Sequence, residues 1–179
     1  GVVYNEMKGA FSSPEQILYR KITDSLFPDT IYSVESGGDP DVITELTYEP
    51  FLDFHRKYYH TSNSYIYLYG NMDVAEKLAF IDEEYLCHYD NAQVDSAIAR
   101  QLPFKHSTVT RGEYPIGNDD REENAAYMAY SWVIGDSLDA KLCLAFQILE
   151  YALMDAPGAP LKQALLDQKL GEDIYGMFE

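Results

Sequence analysis

A chain of 179 residues with 13 basic and 30 acidic side chains carries a formal charge of −17. So acidic a surface repels phosphate backbones and anionic headgroups, which argues against nucleic acid and membranes as partners and favours neutral or basic peptides, although a plain solvated surface explains the same excess. Hydrophobic residues at 46% and charged residues at 24% are ordinary globular values, and no run approaches the roughly 20 apolar residues that a spanning helix needs.

The opening Gly1-Val2-Val3-Tyr4-Asn5-Glu6-Met7-Lys8 has no initiator methionine and no helix cap, and reads as a helix entered in its middle that runs to about Ala10. Ser12 or Ser13 caps a second helix with Pro14 at its first position, and Leu18, Ile22 and Leu26 recur along it. A loop over 29–46 contains Ser36-Gly37-Gly38-Asp39-Pro40. Thr47 caps a helix to about Tyr59, with Phe51, Phe54 and Tyr58 on one stripe. Ser64–Tyr69, rich in aromatic and β-branched residues and closed by Gly70-Asn71, reads as a strand. Asp73 followed by Glu76 starts a helix to about Tyr85.

Residues 88–108 lack periodicity and read as a linker. Strands near 108–114 and 124–134 flank the acidic turn Gly117-Asn118-Asp119-Asp120-Arg121-Glu122-Glu123. Asp136 or Ser137 caps a helix whose Leu138, Leu142, Phe146, Leu149 and Leu153 face one way. A short helix over about 160–169 follows Pro157-Gly158-Ala159-Pro160, Gly171 sits where a C-terminal cap belongs, and Ile174–Phe178 opens a further strand. The expected class is α+β, with helices packed on mixed or antiparallel sheets.

Glu6 is the residue of chemical interest. On a helix it shares its face with Val2, Val3, Gly9 and Ala10, while Lys8 points elsewhere, so a carboxylate sits in a small apolar stripe. A metal ligand, a structural ion pair and an exposed Glu beside a frayed end all fit that spacing. His55 and His60 lie five positions apart, about 140° around a helix, and do not share a face. Cys87 and Cys143 match no metal or redox spacing; they could pair, but read as two buried reduced thiols. The Ser36–Pro40 loop reads as a rigid turn rather than an anion cradle, the acidic turn as solvated rather than calcium-binding, and Tyr127, Tyr130 and Trp132 as packing residues of a strand.

Gly1-Val2-Val3-Tyr4-Asn5-Glu6-Met7-Lys8-Gly9 resembles the stretch carrying the third zinc ligand in the pitrilysin/insulinase superfamily of zinc metallopeptidases, in its presequence-protease branch, which includes falcilysin. The resemblance continues in order through Leu26-Phe27-Pro28-Asp29, Tyr32-Ser33-Val34-Glu35-Ser36-Gly37-Gly38-Asp39-Pro40, Leu46-Thr47-Tyr48-Glu49, Phe54-His55-Arg56-Lys57-Tyr58-Tyr59-His60, Ser62-Asn63 and Tyr69-Gly70-Asn71. It is weaker beyond about residue 86, where Ala159-Pro160-Leu161-Lys162-Gln163-Ala164-Leu165-Leu166 is similar to that branch's small-Pro-Leu helix start.

The resemblance implies zinc held by two histidines of an inverted His-x-x-Glu-His motif and by a downstream glutamate, with the motif's own glutamate as general base. Glu6 matches the downstream ligand. None of His55, His60, His88 and His106 lies in that motif, which is expected upstream of Gly1, as is a glutamate about two helical turns before the third ligand. By the same resemblance residues 1–90 finish the first, catalytic domain, 91–107 form a linker, and 108–179 begin a second domain of similar fold. The implied activity is hydrolysis of short unfolded peptides inside a closed chamber, with no catalytic residue in this stretch and substrate contacts unknown. The stretch alone is expected to be inactive and to bind no zinc. Its expected partners are peptide substrates, the remaining segments of its parent and other copies of itself, in a bacterial cytoplasm or an organelle. A non-catalytic homologue that binds or scaffolds is the rival.

Overall fold

The computed structural model describes residues 1–118, 123 and 125–179, and residues 119–122 of the acidic turn lie outside it. The chain divides into two units, Gly1–Ser131 and Trp132–Glu179. Helices dominate both, and among the described residues none is long and apolar enough to cross a membrane.

In the first unit α1 spans Val2–Ala10 and α2 spans Pro14–Leu26. Of the two candidate caps it is Ser13 that works: its hydroxyl accepts from the Gln16 N–H at 3.4 Å and donates to Glu15 Oε2 at 2.9 Å. The Glu15 carboxyl is held below the usual range by its own backbone N–H, then by Ser13. The expected loop contains a 3-10 turn at Ile31–Ser33, capped by Thr30, and the short helix α3, Pro40–Ile43, capped by Asp39. Both are one-turn structures that a four-residue apolar spacing does not reveal. Helix α4 covers Tyr48–Tyr58, and α5 covers Val74–Glu84, where Asp73 Oδ1 accepts from the Glu76 N–H at 3.1 Å.

The α+β expectation is overturned: among the described residues there is no strand and no sheet. Ser64–Tyr69 has the composition of a strand but no ladder partner among the described residues, and Tyr65, Tyr67 and Tyr69 are 104%, 85% and 86% exposed. Residues 108–114 and the described part of 124–134 meet through side chains instead of a ladder: the Tyr114 hydroxyl donates to the Ala125 carbonyl, and the Tyr114 and Tyr127 rings stand edge to face at 5.4 Å. The span 174–178 is likewise unpaired. A strand exists only within a ladder, and β-propensity describes side chains that suit one without supplying the second strand.

In the second unit α6 spans Ala140–Glu150 and starts later than expected. Asp139 is the cap, accepting from the Leu142 N–H at 3.0 Å, while Asp136 caps only the turn before it. The helix widens into a π turn at Tyr151–Asp155. Pro160–Asp167 forms α7. Met154 and Ala159, buried here, are joined in the chain only by Pro40 of the first unit as buried residues among those described. The Phe146 and Phe178 rings stack at 5.8 Å, and a Cβ on Gly176 would lie 2.7 Å from Met154 Cγ.

The cap of α7 also departs from expectation. Lys169, at φ 56, takes the left-handed position: its N–H donates to Leu166 at 2.9 Å and the Leu170 N–H to Leu165 at 3.2 Å. This is the paired closure usually given to glycine. Lys169→Gly should therefore stabilise the second unit by about 0.5–1 kcal/mol, since a side chain in that region costs roughly 1–2 kcal/mol, offset in part by the freer unfolded chain. Thermal unfolding checks it, and an unchanged or lower Tm would refute the cap assignment.

A candidate metal-ligand position on the first helix

Glu6 sits midway along α1. Its carboxylate is exposed, and among the described residues it has no hydrogen-bond or ion-pair partner. The face around it is open: Val2 and Val3 are 84% and 56% exposed, and a Cβ added at Gly9 would meet nothing within 4 Å. The apolar stripe expected around the carboxylate is present but uncovered.

No group of three or more His, Cys, Asp or Glu that could hold a metal exists among the described residues. His55 lies on α4 with its ring stacked on Tyr59 at 4.5 Å. His60 lies beyond that helix, accepting from the Ser62 N–H through Nδ1 at 3.1 Å, with its ring against Tyr89. The two cysteines are free thiols as expected but not buried: Cys87 is exposed and donates to the Glu83 carbonyl, and Cys143 is half-buried. Zinc takes three or four protein donors. The residues here thus fit one ligand of such a site, a hard oxygen donor with room for a cation to approach, and not a whole site.

Sequence reasoning passed over the residue that holds this region together. Arg20 of α2 lies with its Cζ 3.5 Å from the ring centroid of Phe11, the residue that closes α1. The same guanidinium meets Glu35 at 3.6 Å and Asp39 at 3.4 Å. These partners are 15 and 19 positions away in sequence, so no local spacing could have announced them. The two carboxylates bracket the Ser36-Gly37-Gly38 turn, which closes on α1: a Cβ on Gly37 would overlap the Met7 thioether, 2.9 Å from its Cε. Gly38, at φ 93, is in the left-handed region and packs against Ile43. The acidic flanks of the turn hold a guanidinium. An open cleft of about 360 Å³ beside it is lined by Arg20, Tyr32, Glu35, Asp39 and Asp41.

Residues 45–179 match the peptidase M16 inactive domain. Over its whole length the chain is 49% identical to Protein HypA of Clostridium perfringens, of which it covers 18%. It is 37% identical over 97% of its length to presequence protease 1, chloroplastic/mitochondrial, of Arabidopsis thaliana, and 33% identical to the mitochondrial presequence protease of Danio rerio, covering 16% and 17% of them. The chain spans less than a fifth of the length of these relatives. Glu6 precedes the stretch matched to the inactive domain but lies within the span shared with HypA. The chain belongs to the peptidase M16 family, within the pitrilysin/insulinase superfamily, in its presequence-protease-like branch.

Proposed function

We propose that this chain is a segment of a zinc-dependent peptidase that hydrolyses short unfolded peptides in a closed chamber, and that Glu6 supplies the third zinc ligand. The observation that carries this is the carboxylate of Glu6, without a partner among the described residues, on an open helix face, in a chain whose relatives include presequence proteases. When bound, zinc would lower the pKa of a water for attack on the peptide carbonyl. Glu6 contributes a negative oxygen donor, and the open stripe of Val2, Val3 and Gly9 leaves room for the remaining ligands to approach from another segment. Residues 1–90 would complete the catalytic domain, 91–107 would link, and 108–179 would begin a second domain. The acidic surface suits neutral or basic peptides. A bacterial cytoplasm is the favoured setting, on the higher identity to the Clostridium perfringens relative, with an organelle as the alternative.

A second reading has its own support. The match over 45–179 is to a domain described as inactive, which favours a binding or scaffolding role for that part. The two readings part at the segment upstream of Glu6: an intact His-x-x-Glu-His there means an enzyme, a degenerate one a scaffold.

Three outcomes test these proposals. Zinc titrated calorimetrically into the chain alone should bind only weakly across surface carboxylates. One tight stoichiometric site surviving Glu6→Gln would mean an unrecognised ligand set. In the full-length parent, Glu6→Gln should lower zinc occupancy and peptide hydrolysis together by orders of magnitude while the fold persists. Activity within about threefold, a loss of only ~0.65 kcal/mol, would refute the ligand role. The isolated chain, with Tyr65, Tyr67 and Tyr69 open and a charge of −17, should self-associate more as salt screens that charge. Light scattering that reports a monomer at every ionic strength would count against it.

A further inference from the structure

The clamp centred on Arg20 touches α1 on the C-terminal side of Glu6, at Met7 and at Phe11. At the C-terminal end, Phe11 closes the helix, with its N–H donating to Met7 at 2.9 Å, and turns its ring to the guanidinium. Beside Glu6, Met7 packs on Gly37, in the turn whose two ends, Glu35 and Asp39, are both paired to Arg20. Asp39 divides its oxygens between two tasks: Oδ2 meets Arg20, and Oδ1 accepts from the Asp41 N–H at 2.9 Å to start α3. The Arg20 side chain is 30% exposed and its partners 26% and 37%, so the pairs are partly shielded from water and salt. Only a flat, forked cation can stack on one ring and reach two carboxylates at once.

We infer that Arg20 is a positioning residue for Glu6. It fixes the rotation and tilt of α1, and so the place where the Glu6 carboxylate stands, without touching zinc or substrate itself. The inference rests on the proposed ligand role of Glu6. A ligand carried on a short, otherwise exposed helix needs such an external fixture, because a displacement of about 1 Å can cost on the order of a hundredfold in rate.

The test compares Glu6→Gln, Arg20→Lys and Arg20→Met in the zinc-loaded full-length protein. Zinc release to a chelator, hydrogen exchange of the α1 amides, and kcat and KM on an unstructured peptide are measured. Arg20→Met should speed zinc release and lower kcat by about tenfold or more, with KM within about twofold, because positioning acts on the reacting geometry and not on peptide affinity. Exchange should quicken in α1 ahead of the other helices. Arg20→Lys keeps the charge without the fork or the flat stack and should fall between. If Glu6→Gln holds zinc as the parent does, the ligand reading fails, whatever Arg20 does. If Glu6→Gln loses zinc but Arg20→Met retains it with unchanged kcat, the positioning inference is overturned. Where Arg20→Met does not accumulate folded, Glu35→Gln combined with Asp39→Asn opens the same clamp without a change of side-chain size, and unaltered zinc release there overturns the inference equally.

Discussion

Among the described residues no sheet gathers distant backbone groups, so those that pair do so close to home, and exposed stretches such as 64–69 are left to water. Side chains do much of the work. Ser13, Thr30, Asp39, His60, Asp73 and Asp139 each accept a hydrogen bond from a backbone N–H two or three residues on, and each starts a helix or a turn there. Polar links also cross longer separations among the described residues. Gln101 takes the Asp29 N–H at 3.0 Å and returns a bond to the Asp29 carboxylate at 2.8 Å. Ser62 holds the Ala92 N–H at 3.1 Å, and Ser96 reaches Asn63 at 2.7 Å. With Met154 and Ala159 buried in one unit and Pro40 in the other, burial contributes little to order among the described residues. Arg20 goes further, since one side chain there joins its own helix to Phe11 and to the Glu35–Asp39 turn.

That contrast explains what the sequence made legible. A cap acts over about three residues, so Ser13 with Pro14, and Asp73 with Glu76, could be read from the letters alone, and the helices after them followed. Errors within the helical part were of the same short range. Asp136, Ser137 and Asp139 all offer a side-chain oxygen before the same apolar run, and only geometry selects Asp139. Gly171 looked like the closure of α7, yet Lys169 closes it two residues earlier. The strands failed for a different reason. Alternating aromatic and β-branched residues at 64–69 report that the segment suits a ladder, and the ladder's other half is a non-local fact that the segment does not encode.

The candidate site divides along the same line. Glu6 stood out because its helix neighbours are small and apolar, a local property, and the ordered resemblance gave that position a role. Its orientation depends on Arg20, Phe11, Gly37 and Met7, whose meeting no spacing foretells. At His55 and His60 spacing and geometry agree, since five positions apart they share no helix face and each ring is committed to its own tyrosine.

Open surface and high charge then act against one another in a consistent way. Exposed apolar side chains on α1, α4 and residues 65–69 favour association, while −17 charges oppose it between like copies. A copy of this chain brings the same repulsion to every contact it makes, whereas a segment of different composition need not. The surface is therefore better matched to a non-identical covering segment than to itself. The bare face of α1 around Glu6 is consistent with that preference, because under the proposed ligand role a donor set drawn from two segments would be complete only once the second had arrived.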